Sequence, residues 1–442
     1  MDWTTERIIA LAPDAASAKS GQVLATTRKW LLLGCHERAA WGLCQGSGRE
    51  PYQTQIDLTE PAFRCTCPSR KFPCKHALGL FLLLASQPHA FTEKLPPTQV
   101  GEWLESRAKR AHQRLEKHTR AEQQSDSVAD RGAQAKRAAA REVRVAAGLQ
   151  ELELWLRDLI RSGLAAVQTQ PPAFWERAAA RLVDAQAPGV ARMVRELSGI
   201  SSSGDGWQAR LLERMSRIQL VIEGFNRFGE LPIGTQADIR TIIGWTQNQD
   251  DLLSTEGFRD RWLVLGQRIE EEDRLRVQRT WLLGEAANRP AMLLHFAAGN
   301  QPLDAGVVAG TMIDAELVFF PGAYPLRVLI KQRYASPVQL DQMSGYTSIR
   351  EASSAYVGAL AHNPWIEEFP IALRDVIPVR RGGDWFARDS EASLLPLAPR
   401  SAHLWTLLAL SGGREIELFG EWNGQHLWPL SAIAEGRFVQ FL

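Results

Sequence analysis

The spacing of apolar and polar residues changes twice along the chain, and each change predicts a different kind of structure. Between residues 40 and 65 apolar and polar positions alternate, as in Thr54–Leu58, which is typical of half-buried strands. Between residues 145 and 257 apolar residues recur three or four positions apart, starting with Leu149 and Leu152, which predicts a series of amphipathic helices. After Phe258, short apolar runs separated by turn signals predict strands.

The C-terminal strands are predicted to build a β-sandwich or a barrel-like sheet, with helical segments inserted around residues 347–360. The predicted strands are Arg261–Gly266, Arg279–Gly284, Met292–Phe296, Leu317–Pro321, Leu326–Ile330, Trp405–Leu410, Glu415–Phe419 and Leu427–Leu430. Seven of the 15 tryptophans fall in this part. Exposed tryptophans would form a ligand face and buried ones only a core, and the sequence leaves both open.

Three cysteines and one histidine lie close together in the sequence. The residues are Cys65, Cys67, Cys74 and His76, with the spacing Cys-x-Cys, six residues, Cys-x-His. A structural zinc ion takes four such ligands in a tetrahedron. Three alternatives are free cysteines near a core histidine, a Cys-x-Cys redox pair, and a catalytic zinc with an open position. The spacing favours structural zinc, because the protein itself supplies all four ligands.

The surroundings of this motif predict how it folds. Pro73 is typical of a helix start, so we expect Cys74 and His76 in the first turn of a helix. The following apolar run, Ala77–Ala85, is too short to span a membrane and predicts a buried helix. Of the two remaining cysteines, we interpret Cys44 as a small buried hydrophobe and Cys35 as a loop residue, because a site with His36 would lack a fourth ligand.

The order Cys-x-Cys…Cys-x-His resembles the SWIM-type zinc finger, a small β-β-α module. The segments 40–48 and 51–58 also resemble the N-terminal part of bacterial SWIM zinc-finger family proteins. Carried over by position, the resemblance assigns Zn²⁺ to Cys65, Cys67, Cys74 and His76. SWIM modules occur in nucleic-acid-associated, ubiquitin-pathway and signalling proteins, so the resemblance implies binding to DNA or to protein. It also implies an AAA-type ATPase or a von Willebrand A protein as a partner, since bacterial members are encoded near these.

Charge adds a second candidate feature around the motif. The cations Arg64, Arg70, Lys71 and Lys75 crowd the ligands. They would either contact the phosphates of nucleic acid or a partner, or offset the negative charge of a zinc ion with three thiolates. Between residues 101 and 144 there are eleven basic and seven acidic residues, an excess of four. This predicts a basic, helical or flexible linker, interpreted as a nonspecific nucleic-acid contact or as a solvated helix face.

Composition and net charge restrict the compartment and the partners that we expect for the protein. The net charge of the 442-residue chain is +1, so no global field attracts it to nucleic acid. The odd number of cysteines, five, indicates a reducing compartment. An acidic start without a basic region is unlike a signal peptide, and no stretch resembles a transmembrane helix. We therefore expect a cytoplasmic protein without contact to a membrane.

Together these patterns predict an α+β multidomain protein with a small β-β-α zinc module, a helical middle region and a β-rich C-terminal domain. The predicted boundaries are 1–90 for the zinc module, 91–144 for the linker, 145–257 for the helical domain and 258–442 for the β-rich domain. Phosphate-binding, serine-hydrolase, metalloprotease and dinucleotide motifs are not found in the sequence, so we expect no enzymatic activity. The predicted function is that of a zinc-binding adaptor for protein–protein interaction, and the alternative is nucleic-acid binding through the zinc finger and the linker.

Overall fold

The computed structural model describes most of the chain, in segments. They are residues 5–12, 15–46, 50–58, 62–69, 73–93, 95–106, 128–245, 247–272, 275–298, 303 and 306–441. The N-terminal helices are α1 (Thr5–Ala10), α2 (Ala15–Leu24), α3 (Lys75–Ser86) and α4 (98–106). The N-terminal strands are β1 (Trp30–His36), β2 (Ala39–Cys44), β3 (Tyr52–Asp57), β4 (Ala62–Cys65) and β5 (Thr92–Glu93).

The five N-terminal strands form one sheet in the order β4-β3-β2-β1-β5. Neighbours are antiparallel except β5, which runs parallel to β1. Side chains alternate between the two faces of a sheet. Ile56 and Phe63 therefore share one face, where they pack against α3, and Trp41 lies on the other face with Val100 and Leu104 of α4. These strands and helices, here called the zinc module, therefore form a larger unit than the predicted β-β-α module.

One prediction about this module is wrong. Cys35, expected in a loop, lies in β1, opposite Ala40 of β2 and beside Glu93 of β5. The alternation in this segment is hidden because Leu31, Leu32 and Leu33 follow one another, and a register shift between Trp30 and Leu32 accommodates them. Cys44 is fully buried in the core between the sheet and α3, which confirms its interpretation as a buried hydrophobe.

The middle of the chain is helical, as predicted. The helices are α5 (Val128–Arg161), α6 (Pro172–Asp184), α7 (Pro188–Glu196), α8 (Trp207–Asn226), α9 (Ile233–Ile243) and α10 (Gln249–Leu253). The predicted apolar stripe of α5, represented by Leu149 and Leu152, is buried together with Trp175 and Leu211 from α6 and α8. Short 3₁₀ turns lie at Thr27–Lys29, Pro88–Ala90, Leu164–Thr169, Leu197–Ser202 and Phe228–Glu230. Of the predicted linker 91–144, residues 94 and 107–127 lie outside the described residues, whereas residues 98–106 form α4 and residues 128–144 belong to α5.

The C-terminal part contains two sheets. The first contains β6 (Phe258–Glu272), β7 (Leu275–Gly284), β8 (Pro290–Ala298), β9 (Thr311–Phe319), β10 (Arg327–Arg333) and β11 (Val338–Gln339). It has the order β10-β8-β7-β6-β9-β11, and β10 also pairs with β9, which closes the sheet on itself. The second contains β12 (Phe369–Arg381), β13 (Asp384–Arg388), β14 (Leu394–Pro396), β15 (Ile416–Trp422), β16 (Leu427–Ala434) and β17 (Arg437–Gln440). Its order is β14-β13-β12-β15-β16-β17, with α11 (Ile349–His362) and α12 (Leu404–Ser411) packed beside it.

Trp405–Leu410 was predicted as a strand and is instead part of the helix α12. Leu404, Leu407 and Ser411 are buried while Trp405 is 63% exposed, which is a helical period of three and four. A short, continuous apolar run does not distinguish a buried strand from a helix. The sequence does not distinguish buried from exposed tryptophans in this part of the chain, and the structure contains both. Trp262 and Trp281 are fully buried core residues, and Trp405 is exposed.

The helical region packs directly against the C-terminal sheets. Trp365 joins the core of the helices, and its Nε1 donates to the carbonyl of Arg217 at 3.4 Å. The carboxylate of Asp238, on α9, accepts a hydrogen bond from the backbone N–H of Ala323 at 2.9 Å, in the loop between β9 and β10. Burial raises the pKa of Asp238 to about 6, although this hydrogen bond lowers it. Among the described residues, no helix is both long and apolar enough to cross a bilayer.

Candidate metal centre

The four predicted ligands come together at one end of the zinc module. The Cys65 and Cys74 sulfurs lie 3.8 and 4.0 Å from Nδ1 of His76, and all four ligand atoms, including the Cys67 sulfur, lie within 4.8 Å of one another. Tetrahedral zinc with ordinary Zn–S and Zn–N bonds separates its ligands by about 3.5–3.8 Å. The set therefore fits a single zinc ion after small side-chain adjustments, and it supplies all four positions.

Two structural elements position the ligands. Cys65 is the last residue of β4, and the backbone N–H of Thr66 continues the ladder by donating to the carbonyl of Gln53 at 3.0 Å. Cys65 and Cys67 are thus two positions apart on a nearly extended chain, where side chains return to the same side. Cys74 is the N-cap of α3 and His76 lies in its first turn, where the backbone N–H of Leu78 donates to the carbonyl of Cys74 at 3.0 Å.

Neighbouring groups hold the ligands in place. Oγ1 of Thr54, which pairs with Cys65 across the sheet, lies 3.3 Å from the Cys65 sulfur. The ring of Tyr52 packs against the imidazole of His76, with centroids 4.8 Å apart. Cys74 and His76 are buried, and Cys65 and Cys67 are partly exposed. Such outer contacts orient metal ligands and limit access of solvent.

The ligand groups perturb one another electrostatically. Hydrogen bonds from Cys65 and Cys74 lower the pKa of the Cys67 thiol, because they stabilise its thiolate. Hydrogen bonding with Cys65 and Cys67, together with burial, raises the pKa of Cys74. Burial lowers the pKa of His76, but hydrogen bonds to Cys65 and Cys67 outweigh it and raise the value to about 9. Zinc binding displaces the protons that the thiols and the imidazole hold in these hydrogen bonds. The zinc affinity of the site therefore depends on pH.

Cys44 lies near the cluster but does not belong to it. Burial, followed by the charge of Cys65, raises the pKa of Cys44 to about 11, so it remains a neutral thiol. Its sulfur donates to the carbonyl of Gln45 at 3.8 Å. Within the part of the chain that the structure describes, the metal-binding group consists of Cys65, Cys67, Cys74 and His76, and it does not include Cys35, His36 or Cys44.

Two of the four candidate cations, Arg64 and Lys75, lie within the described residues, at different places in the fold. Arg64 is exposed and alternates with Phe63 and Cys65 along β4, so its side chain leaves the sheet on the face opposite α3. Lys75 is exposed at the first residue of α3. Arg70 and Lys71 lie outside the described residues. A single patch formed by all four residues stays a prediction.

A cleft beside the metal centre contains cations that the sequence analysis missed. Its volume is about 860 Å³, and its walls include Cys67 and His76 together with Lys75. Arg28 and Lys29, which are exposed in the 3₁₀ turn before β1, line the same cleft. The adjacent basic pair was the only signal in the sequence. Because Lys29 lies 46 positions before Lys75, the sequence does not show that the two residues line the same cleft.

Comparison with known families agrees with this geometry. Residues 52–85 match the SWIM zinc finger, and residues 140–243 match the SWIM-associated four-helix bundle domain. The first match contains all four ligands, and the second contains the C-terminal part of α5 and all of α6–α9. Neither the curated proteins nor the solved structures contain a match to this chain. The two family matches confirm the resemblance and the zinc-binding site inferred from the sequence.

Proposed function

We propose that this SWIM-type zinc finger protein is a non-enzymatic interaction protein, whose zinc module binds an acidic segment of a partner protein. The observation that carries the proposal is the cleft beside the metal centre, where Arg28, Lys29 and Lys75 are exposed. The zinc ion has a structural role, since four protein ligands leave no position for a substrate. It fixes the N-terminus of α3, and thereby Lys75, against the sheet.

The shape and charge of the cleft favour a short acidic protein segment. Among the described residues, the cations Arg28, Lys29 and Lys75 line one concave site of about 860 Å³. Tight binding to a nucleic-acid backbone instead requires a row of contacts to successive phosphates. The net charge of +1 provides no general attraction to nucleic acid. A few carboxylates of a partner match this arrangement better, because complementary charges at a confined site give specificity.

The second candidate function is binding of nucleic acid. It is favoured by the same three cations, by the exposed Arg64 and by the basic excess of four between residues 101 and 144. An AAA-type ATPase or a von Willebrand A protein stays the predicted partner, on family resemblance alone.

A binding titration distinguishes the two functions. The zinc-loaded full chain is titrated with a fluorescent glutamate-rich peptide, a 20-base-pair duplex and a single strand of equal length, each at two salt concentrations. We expect the peptide to bind, and the triple variant Arg28→Ala, Lys29→Ala, Lys75→Ala to weaken its binding at least about tenfold. The matched control is Lys19→Ala, an exposed lysine of α2 that does not line the cleft.

Two outcomes contradict the proposal. Stronger binding of the duplex than of the peptide, with a steep loss at higher salt, would assign the cleft to nucleic acid. Equal binding of the peptide by the triple variant and the wild type would remove the cleft from the function.

A further inference from the structure

The three thiols of the metal centre differ in their access to solvent. Cys67 is partly exposed and belongs to the wall of the cleft beside the site. Cys74 is 2% exposed and belongs to the core of the zinc module. Cys65 is also partly exposed, but it ends β4 opposite Thr54, and the described walls of the cleft do not include it. A small molecule in the cleft therefore meets Cys67 before the other two sulfurs.

The cleft places positive charge around this thiol. Arg28, Lys29 and Lys75 are exposed and line the same cleft as Cys67. The described lining contains no acidic residue. Reactive cysteines in proteins typically have partly exposed, electropositive surroundings, whereas buried structural cysteines are inert. Of the three thiols of the metal centre, Cys67 combines both properties.

Zinc binding itself keeps the Cys67 sulfur in its reactive form. A cysteine that ligates zinc is deprotonated, and the thiolate is the nucleophile in thiol chemistry. The cations of the cleft attract anionic reagents and stabilise a leaving group that departs as an anion. The chemistry that fits this wall of the cleft is therefore the reaction of a thiolate with a small electrophile.

We propose that Cys67 is a modification site, at which a small hydroperoxide that enters the cleft oxidises the thiolate. The sulfur attacks one peroxide oxygen, so that an S–O bond forms and the O–O bond breaks. The other oxygen leaves as hydroxide, or as alkoxide from an organic peroxide, and takes up a proton from water. The sulfur loses two electrons, the peroxide gains them, and Cys67 becomes a sulfenic acid.

A second thiol of the cluster completes the reaction. The sulfurs of Cys65 and Cys74 lie within 4.8 Å of the Cys67 sulfur. One of these thiolates displaces hydroxide from the sulfenic acid and forms a disulfide with Cys67. The site then retains two of its four ligands, so its affinity for zinc falls and the N-terminus of α3 loses its attachment to the sheet. The inference goes beyond the proposed function, because this reaction needs no protein partner.

Two alkylating reagents of similar size, one neutral and one anionic, test the access and the charge. The zinc-loaded full chain is treated with limiting iodoacetamide or iodoacetate, and labelled cysteines are quantified by tandem mass spectrometry. We expect Cys67 to be labelled at least about fivefold faster than Cys65 and Cys74. Cys35 is the reference thiol, because it is partly exposed and lies in β1, outside the described walls of the cleft. The ratio of the iodoacetate rate to the iodoacetamide rate should be at least about threefold higher at Cys67 than at Cys35.

Substitution of two cations of the cleft tests the origin of this preference. The double variant Arg28→Ala, Lys29→Ala should lower the ratio at Cys67 towards that at Cys35, because positive charge near the thiolate is lost. Neither residue is a metal ligand, so the variant should still bind one zinc ion per chain. The matched control is Lys19→Ala, an exposed lysine of α2 outside the described walls, which should leave both rates unchanged.

Oxidation itself is followed with hydrogen peroxide. In the presence of dimedone, which traps sulfenic acids, the adduct should form at Cys67. A colorimetric chelator should detect one zinc ion released for each oxidised Cys67. Without dimedone, mass spectrometry should find a disulfide that includes Cys67, and dithiothreitol with added zinc should restore the bound metal.

The proposal is overturned if Cys65 or Cys74 reacts before Cys67, or if hydrogen peroxide releases zinc while Cys67 remains reduced. It is also overturned if the protein retains its zinc after Cys67 is oxidised, or if Cys67 resists the peroxide. An equal preference for iodoacetate at Cys67 and Cys35 in the wild type would remove the cleft from the reaction, and the proposal with it.

Discussion

The zinc module and the C-terminal sheets are both built from strands, but different interactions stabilise them. In the zinc module, a cluster of three thiols and an imidazole connects the sheet to α3, at the edge of a core around Ile56 and Phe81. In the C-terminal part, two six-stranded sheets bury large side chains such as Trp262, Trp281 and Phe419. We expect the first to depend on a metal ion as well as on packing, whereas the described residues of the second contain no metal-binding group.

The buried polar groups show the same difference. In the C-terminal part, Glu421 is fully buried and accepts hydrogen bonds from Nε1 of Trp281 and from Arg268, both at 2.8 Å. Arg279 lies 3.7 Å away as a further cation. Burial and the charge of Glu421 raise the pKa of nearby Glu368 to about 7. Here side chains from distant strands satisfy one carboxylate, whereas in the zinc module one cation satisfies three sulfurs and a histidine.

The prediction with the largest expected effect is that the zinc module, but not the C-terminal part, unfolds without zinc. Removal of zinc with a chelator, or the substitution Cys74→Ala, should unfold residues 5–106 and leave the helices and C-terminal sheets intact. Binding of a structural zinc ion contributes on the order of 10 kcal/mol, which is comparable to the whole stability of a small domain. Hydrogen exchange measured by mass spectrometry reports each region separately.

The control for this experiment is Cys35→Ser, which removes a partly buried thiol outside the cluster. It should retain one zinc ion per chain by elemental analysis, together with the slow exchange of α3. If the chelator increases exchange equally in both regions, or in neither, the contrast between them is wrong.

The next effect concerns the C-terminal sheets. Glu421→Gln should destabilise them by about 3 kcal/mol, because Arg268 and Arg279 lose a buried counter-ion. Both arginines keep their pairing with Glu270, which limits the loss. Faster exchange of β6, β7 and β15, with unchanged exchange of α3, is the expected measurement.

An exposed ion pair provides the comparison for Glu421. Glu435 pairs with Arg414 at the surface, and both side chains are about 70% exposed. Glu435→Gln should therefore change stability by less than about 1 kcal/mol. Equal effects of the two substitutions would mean that burial of Glu421 has no energetic consequence.

The smallest effect tests the contact between the helices and the C-terminal sheets. The pKa of Asp238 is raised to about 6 in the folded protein, so folding favours the protonated carboxyl group. The stability that this group contributes is therefore complete below about pH 4 and is lost as the pH rises to about 6. Asp238→Asn retains an acceptor for Ala323 without a charge. It should be more stable than the wild type at pH 7.5, by about 1 kcal/mol, and similar at pH 4.

Thermal unfolding at the two pH values checks this prediction. A stability difference of the same size at both values would show that Asp238 does not titrate in this range. The exposed Asp205, in the loop before α8, provides a control substitution, Asp205→Asn, which should leave the melting temperature at pH 7.5 close to that of the wild type.

The sequence by itself determined the metal site and the succession of elements. The four ligands lie within twelve positions, so local geometry of β4 and the first turn of α3 brings them together. The periods of three and four along α5 and α8 are likewise local properties, since a helix buries one stripe whatever it packs against.

The tertiary structure decided what depends on contacts between distant positions. Arg28 and Lys75 line one cleft, and Arg268 pairs with Glu421, only because of how strands and helices pack. Trp405–Leu410 became a helix because its buried side must match β12 and β16, a constraint that is not present in the short apolar run itself. Sequence patterns record the period of one element, whereas the pairing of side chains across elements depends on register and packing of the whole chain.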